Sequence, residues 1–392
     1  MNRTISIFLI CFLGMVAGTV AQPPRRVILF MIDGLHHEAP RKLNMPVLNS
    51  LRGQGTFIAR SYMIVPHHPT IGEYSRYNSC SFPNPMLHAG SIFVRPENRY
   101  IQEVFAGQQT AFVVNTASYR SVARGFTTQI MDPGLTDRQV VEQAMVILRN
   151  QDPVFMRVHL QSPGDRGSSV AVSEPGQPYY RNIFGKESPY AAAIEQADVL
   201  LGEFIAFLKK EGKWDETILI VTSDHGQSNM GWHPLFDEDS WATPLVFAGP
   251  GIAKGRELPY FEHTDLAPVI AWLLGKEAPN AGGGSGVVVR EIMAGTDADN
   301  YRPAKHLLTL NRQLKEFAIL KAKMLLAAGQ DPYLHYLLSA LENQNLTPEP
   351  FYHQDRVTDW YKAGSFSHLI EANETILQQM RSHLGLKPGT EN

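Results

Sequence analysis

The sequence is short of cysteine, of net charge and of long apolar runs. Only Cys11 and Cys80 occur in 392 residues. That excludes a disulfide-dense mini-protein, whose framework needs several pairs. If Cys11 leaves with a signal segment, Cys80 stands alone and no internal disulfide forms. Stability must then come from a sizeable core, which a chain of this length can bury. Net charge is equally sparse: 35 Lys+Arg against 38 Asp+Glu give −3. So balanced a chain gives no electrostatic reason to expect a nucleic-acid scaffold. No internal repeat or low-complexity block is present. Beyond the N-terminus no stretch is long and apolar enough to span a bilayer. At 44% hydrophobic and 19% charged, the composition excludes a disordered or collagen-like chain. What is plentiful is histidine, with 14 residues, and composition alone does not say which of them are ligands.

The first residues read as an address. Arg3 supplies a positive charge, Ile5 to Val20 is almost wholly apolar, and Thr19-Val20-Ala21 places small residues before a cut at Gln22. This predicts a signal peptide over 1–21 and an exported chain, periplasmic or secreted, with no membrane span after cleavage. The competing reading is an uncleaved anchor, since the run approaches spanning length.

Apolar runs ended by turn residues alternate with helical patterns. Arg26 to Ile32 reads as a buried strand ending at Asp33-Gly34, and Thr110 to Val114 and Val154 to Val158 look similar. Thr217 to Thr222 ends at Ser223-Asp224-His225-Gly226, and Pro244 to Ala248 follows, closed by Gly249-Pro250-Gly251. Continuous rather than alternating apolar strands fit a parallel sheet covered on both faces. Helices are predicted over Thr136 to Arg149 and from a Ser188-Pro189 start to Lys210. In the second, Ile194, Ala197, Leu201, Phe204 and Leu208 share one face. A third is predicted from a Thr264 cap to a Gly275 stop. The fold class is therefore α/β, a doubly wound, mostly parallel sheet with helices on both faces. From about Pro303 the pattern turns helical, over Lys305 to Ala328, Pro332 to Glu342 and within Gln354 to Leu384. The expected division is 1–21 signal, 22–298 α/β domain and 299–392 helical extension. Ala281 to Gly286 reads as a loop without the spacing of a phosphate-binding P-loop.

Ligands collect at the carboxyl ends of strands in such sheets. Asp33 and the Asp224-His225 pair stand at such ends, and Gly231-Trp232-His233 follows the second. An acid and an imidazole at a strand end, with another histidine nearby, form a plausible metal constellation. A polar turn with surface histidines is the plainer alternative. Pro66-His67-His68-Pro69-Thr70 adds a hydroxyl, and alone it means little.

The order of these segments resembles the alkaline phosphatase superfamily, and within it the phosphodiesterase, phosphatase and nucleotide pyrophosphatase branch. The resemblance runs from about Arg26 to Gly275. It includes Asp215 to Gly226, Thr243 to Gly251 and Asp265 to Gly275. It implies a two-ion site, usually zinc, with Asp33, Asp224 and His225 on one ion and Thr70 beside it as nucleophile. A threonine hydroxyl attacks well only when its alkoxide is stabilised. For the second ion the resemblance suggests His233, Asp165 and His263. Ser169, however, stands where the family usually has a histidine, and neutral serine is a poor zinc ligand. His159 is a weaker candidate. Arg76, Asn78 or Asn84 would contact ester oxygens, and His67 and His68 would flank the pocket. Cys80 is followed by Ser81-Phe82-Pro83-Asn84, which departs from the Cys/Ser-x-Pro-x-Arg context that sulfatases of the formylglycine type need.

The function this implies is an exported, metal-dependent hydrolase of small phosphoric esters, a phosphodiesterase or phosphatase. A non-catalytic or single-metal binding member is one alternative, and a phospho-group transferase is the other. Tyr179, Tyr180 and Phe184 would line a specificity loop or pack within it.

Overall fold

The computed structural model describes residues 24–63, 99–234, 237–279, 287–345 and 366–386. The signal segment, Thr70, His67, His68, Arg76, Asn78, Cys80, Asn84 and the loop 281–286 lie outside them.

Among the described residues, nine strands form one sheet: β1 (Arg26–Ile32), β2 (Thr56–Tyr62), β3 (Thr110–Val114), β4 (Thr128–Met131), β5 (Phe155–Leu160), β6 (Thr217–Thr222), β7 (Ala242–Ala248), β8 (Arg256–Glu257) and β9 (Phe261–Glu262). Their order is β4-β3-β5-β1-β6-β7-β2-β8, with β9 also paired to β2. The block β4-β3-β5-β1-β6 is parallel throughout. The sheet is thus mostly parallel, as the apolar runs predict. One strand departs. Residues 244–248 lie in β7, which runs antiparallel to both β6 and β2. A strand buried on both faces carries the same apolar run in either direction, so the run cannot encode its polarity.

The described α-helices that accompany the sheet are α1 (Ala39–Lys42), α2 (Pro46–Gln54), α3 (Asp137–Asn150), α4 (Ser162–Ala171), α5 (Pro189–Lys210), α6 (Leu266–Leu273), α7 (His306–Ala327), α8 (Tyr333–Asn345) and α9 (Phe366–His383). Their ends follow local chemistry. Thr136 and Gln139 form a reciprocal capping box at the start of α3. Ser188 accepts from Ala191 N at the start of α5, with Pro189 in its first turn. Met45 gives α2 no side-chain cap, and Asp198 of α5 replaces it from outside. Its carboxylate accepts from Val47 N and Leu48 N, both at 2.9 Å. The expected Thr264 cap is absent. A 3-10 turn, His263–Asp265, leads into α6, and Thr264 Oγ1 is buried without a hydrogen-bond partner among the described residues. The Gly275 stop is present, at φ +67°.

Alternate β1 residues bury into opposite cores, which is why its run is unbroken. Ile28, Phe30 and Ile32 join the predicted α5 face of Ile194, Ala197, Leu201, Phe204 and Leu208. Val27, Leu29 and Met31 join Leu266, Val269 and Ile270 of α6. Helices α7 to α9 bury a cluster of their own around Leu310, Phe317, Met324, Leu338 and Ile376. α7 is tied to the sheet body where Asn311 Nδ2 donates to Met63 O at 2.7 Å and Leu307 N to Glu262 Oε1 at 3.1 Å. No helix among the described residues is long and apolar enough to cross a membrane.

Candidate metal centre

Parallel register brings the chemistry to one edge. Met31 of β1 lies opposite Thr222 of β6 on one side and His159 of β5 on the other. The residues just beyond these strand ends therefore share one edge of the sheet. Gly34, at φ +63°, turns the chain sharply after Asp33, a conformation glycine adopts without strain. Asp33, Asp224 and His225 are all buried, and each offers a ligand atom within 4.8 Å of the others'.

The donor set suits a cation. His225 Nδ1 donates to Gly226 O at 2.7 Å, which turns Nε2 towards the carboxylates. That nitrogen lies 3.6 Å from both Asp33 Oδ1 and Asp224 Oδ2. Two carboxylates facing one imidazole nitrogen call for positive charge between them, which a proton or a bound cation can supply. The two carboxylates also repel each other, by about 3 kcal/mol at an effective dielectric of ~20 and ~5 Å. Tyr119 OH reaches Asp33 Oδ2 at 3.4 Å and Asp224 Oδ2 at 3.3 Å, but its single proton serves only one at a time. Asp224 has further donors in Ser223 Oγ at 3.1 Å and Gly34 N at 3.4 Å. Burial and the charge of Asp224 hold the Asp33 carboxyl well above the usual range. Burial pushes Asp224 up too, but the charge of His225 and His159 when protonated, together with the hydrogen bonds from Ser223 and Gly34 N, brings that carboxyl below its ordinary value. The residues present thus fit a divalent ion, with Asp33, Asp224 and His225 to hold it.

The remaining expected ligands do not join this trio. His233 is buried with its ring centroid 4.1 Å from that of His225, and it is not one of the converging donors. Asp165 sits exposed in the first turn of α4, where Gln161 Nε2 donates to it at 3.3 Å and its charge raises Asp33 further. His263 Nε2 is 2.7 Å from Ser61 Oγ. Ser169 Oγ donates to Arg166 O at 2.7 Å. The two-ion set implied by the resemblance is therefore not assembled among the described residues.

One other trio of metal-capable groups occurs among them: His36, His37 and Asp239. His36 Nδ1 accepts from Glu38 N at 2.9 Å, so its Nε2 carries the hydrogen and points at Asp239 Oδ2, 3.7 Å away. Asp239 also accepts from Asn229 Nδ2 at 2.9 Å, lies 2.8 Å from His37 Nε2 and faces the Arg60 guanidinium at 3.5 Å. These neighbours hold its carboxyl far below the usual range, His36 and His37 foremost. A carboxylate already served by donors and a guanidinium is a hydrogen-bonded clasp, not a second cation site.

Three participants carry little or no signal in the sequence. Tyr119 follows β3 in a stretch with no motif. His159 proves fully buried, with Nε2 3.1 Å from Asp33 Oδ2, because β5 continues to Leu160 rather than ending at Val158. Burial pushes its imidazole down to about 4. Gly164 of α4 lies against Asp33 so closely that a Cβ there would sit 1.8 Å from Asp33 Oδ1. Of the expected specificity residues, Tyr179 and Phe184 pack on the core, Phe184 edge-on to His36 at 5.0 Å. Arg181 lies over the ring of Tyr180.

A family model described as Sulfatase matches residues 77–276, just over half of the chain. Among curated proteins, the multifunctional alkaline phosphatase superfamily protein PehA of Trinickia caryophylli is 36% identical over 126 residues, 30% of this chain and 23% of that protein. Arylsulfatase K of Danio rerio is 30% identical over 34% of this chain and 26% of its own length. The chain spans about a quarter of the curated relatives it matches. Among solved structures, the phosphonate monoester hydrolase of Agrobacterium radiobacter shares the fold with TM-score 0.57 at 16% identity, over 71% of this chain and 79% of that one. Murine ectonucleotide pyrophosphatase/phosphodiesterase 5 shares it with TM-score 0.52 at 15% identity, over 69% and 100%. With the strand-end Asp33 and Asp224-His225 on one sheet edge and the family model spanning half its length, the chain belongs to the sulfatase family within the alkaline phosphatase superfamily.

Proposed function

We propose that the protein is an exported, metal-dependent hydrolase of phosphoric esters, with Thr70 as nucleophile and zinc as the ion. The observation that carries this reading is the buried Asp33, Asp224 and His225 group, in which the imidazole Nε2 faces two carboxylates. Bound there, the ion supplies positive charge for an alkoxide nucleophile and for the anion that develops on the ester oxygens. The chain's own groups do the rest. Gly226 O fixes the His225 tautomer, and Ser223 and Gly34 orient Asp224. β2 runs parallel to β1, so Met63 leaves the sheet at the same edge, and Thr70 follows it closely in sequence. The Thr70 hydroxyl would attack phosphorus and expel the alcohol, and water would then cleave the phosphothreonine to restore the hydroxyl. Export rests on Arg3, the apolar stretch to Val20 and Thr19-Val20-Ala21.

A second reading, hydrolysis of sulfuric esters, is favoured by the family model and by relatives named as sulfatases. Against it, Cys80 lacks the sequence context that formylglycine formation needs. Assay of the zinc-loaded chain on 4-nitrophenyl phosphate, bis(4-nitrophenyl) phosphate and 4-nitrophenyl sulfate separates them. Turnover of a phosphate ester that Thr70→Ala abolishes, with metal content kept, is expected. Turnover of the sulfate alone would replace the first reading by the second.

A further inference from the structure

An aromatic stack leads from the candidate metal centre to the surface. The ring of His225 meets that of His233 at 4.1 Å, and His233 is stacked by Trp232 at 4.2 Å and 22°. Trp232 is 45% exposed, and Met230 beside it is 54% exposed. The far wall of Trp232 is an apolar recess completed by Ser168, Ser169, Ala171 and Val172 of α4 and its C-terminal end. Ser169, at the position where the family resemblance leads one to expect a metal-binding histidine, therefore borders an apolar hollow.

The chain accepts strain to hold this ring. Trp232 has φ +65°, a left-handed conformation that bulky side chains rarely adopt. Such a residue costs on the order of 1 kcal/mol and persists only where its surroundings fix it. They do so here. Ser228 N donates to Trp232 O at 2.8 Å, Gly231 N to Ser228 O at 2.9 Å, and Ile183 N to Asn229 O at 2.9 Å. Gly231, at φ +89°, fits so tightly on α4 that a Cβ would lie 2.5 Å from Gly167 O. The same helix places Gly164 against Asp33 and Val172 in the recess, so the recess begins roughly 6–12 Å from Asp33 at 1.5 Å rise per residue. That is the reach of a one- or two-ring group attached to an ester held at the metal centre.

We propose that Trp232 determines substrate specificity: its face and the recess beside it receive a flat, apolar aryl substituent of the ester. This deepens the hydrolase reading and rests on it. The packed rings His225, His233 and Trp232 and the shared helix α4 place the recess beside the centre, and that placement is what assigns it to substrate rather than to a partner protein. An apolar ring leaves water there and stacks on indole, while a methyl group is too small to reach it.

The test uses two non-hydrolysable analogues, methylphosphonate and 2-naphthylphosphonate, titrated calorimetrically into the zinc-loaded full chain. The wild type should bind the naphthyl analogue about tenfold more tightly, the size expected of one stacked, buried ring. Trp232→Ala should bring the ratio of the two affinities close to one, while Trp232→Phe keeps several-fold preference. Val172→Asp, at a surface position where folding is not at risk, should lower the ratio independently. Equal affinities in the wild type, or a ratio untouched by Trp232→Ala and Val172→Asp, overturn the assignment and leave the hydrolase reading standing. Failure of both analogues to bind overturns both readings.

Discussion

Gly164→Ala tests how the centre is built. In an ordinary helix interior the change from glycine to alanine gains about 0.5–1 kcal/mol. Gly53 of α2 has nothing within 4 Å of an added Cβ, so Gly53→Ala should show that gain. At Gly164 the added Cβ would fall 1.8 Å from Asp33 Oδ1 and 2.6 Å from Asp33 Cγ. Carbon and oxygen in van der Waals contact stay about 3.2 Å or more apart, so either α4 or the Asp33 side chain must move by more than ~1 Å. Overpacking of this kind costs about 1–3 kcal/mol. Displacing one ligand by an ångström is worth about a hundredfold in turnover. The expected outcome is a folded protein that melts somewhat lower, binds zinc at least tenfold more weakly by calorimetry and turns over phosphate esters about a hundredfold more slowly. Zinc affinity and turnover within twofold of wild type in Gly164→Ala would refute the claim that Asp33 is a ligand held in place by this contact.

Other expectations follow from the same geometry. In the ion-free chain the Asp33 carboxyl is held high by burial and Asp224, so the folded state keeps a proton the unfolded state releases above about pH 4. Stability therefore falls as pH rises through the folded pKa of Asp33, and in chelator at pH 7 Asp33→Asn should melt higher than wild type while losing zinc binding; a lower melting temperature contradicts this. His159, pushed down to about 4 by burial, should stay neutral from pH 5 to 8, with an NMR imidazole signal that does not titrate there. Its contribution to stability is full above the unfolded value of about 6.5 and is lost as pH falls towards 4. Asp198→Ala removes the acceptor of two amides at the start of α2 and should cost about 2 kcal/mol in urea unfolding, with activity kept.

The central strands are legible because burial on both faces leaves polar residues only at the ends of β1 and β6, at Arg26, Thr217 and Thr222. β2 is not, since Thr56–Tyr62 carries exposed Ala59 and half-exposed Arg60 amid its buried positions. The polarity of β7 has no signature in its own residues. Asp33, Asp224 and His225 are readable because an acid closes each of two buried strands, with an imidazole beside the second, and the order of these segments resembles a known family, although a strand-end Asp-Gly alone is common. Gly164 and Tyr119 are not, because their roles depend on approach between segments far apart in sequence. His159 reads weakly because the apolar run ends at Val158, one residue before it. The expectation of a second ion leans on His233, Asp165 and His263; tertiary packing sets His233 against the ring of His225, bonds His263 to Ser61 and leaves Asp165 exposed.

The central claim is that Asp33, Asp224 and His225 together hold a catalytic divalent ion. Its most direct test is the zinc content of the purified chain after exhaustive dialysis, measured for wild type and for His225→Ala beside turnover of a phosphate ester. The account predicts tightly bound zinc in the wild type, and loss of both that zinc and turnover in the folded variant. A folded wild-type chain without tightly bound metal, or zinc and turnover unaffected by His225→Ala, would contradict it.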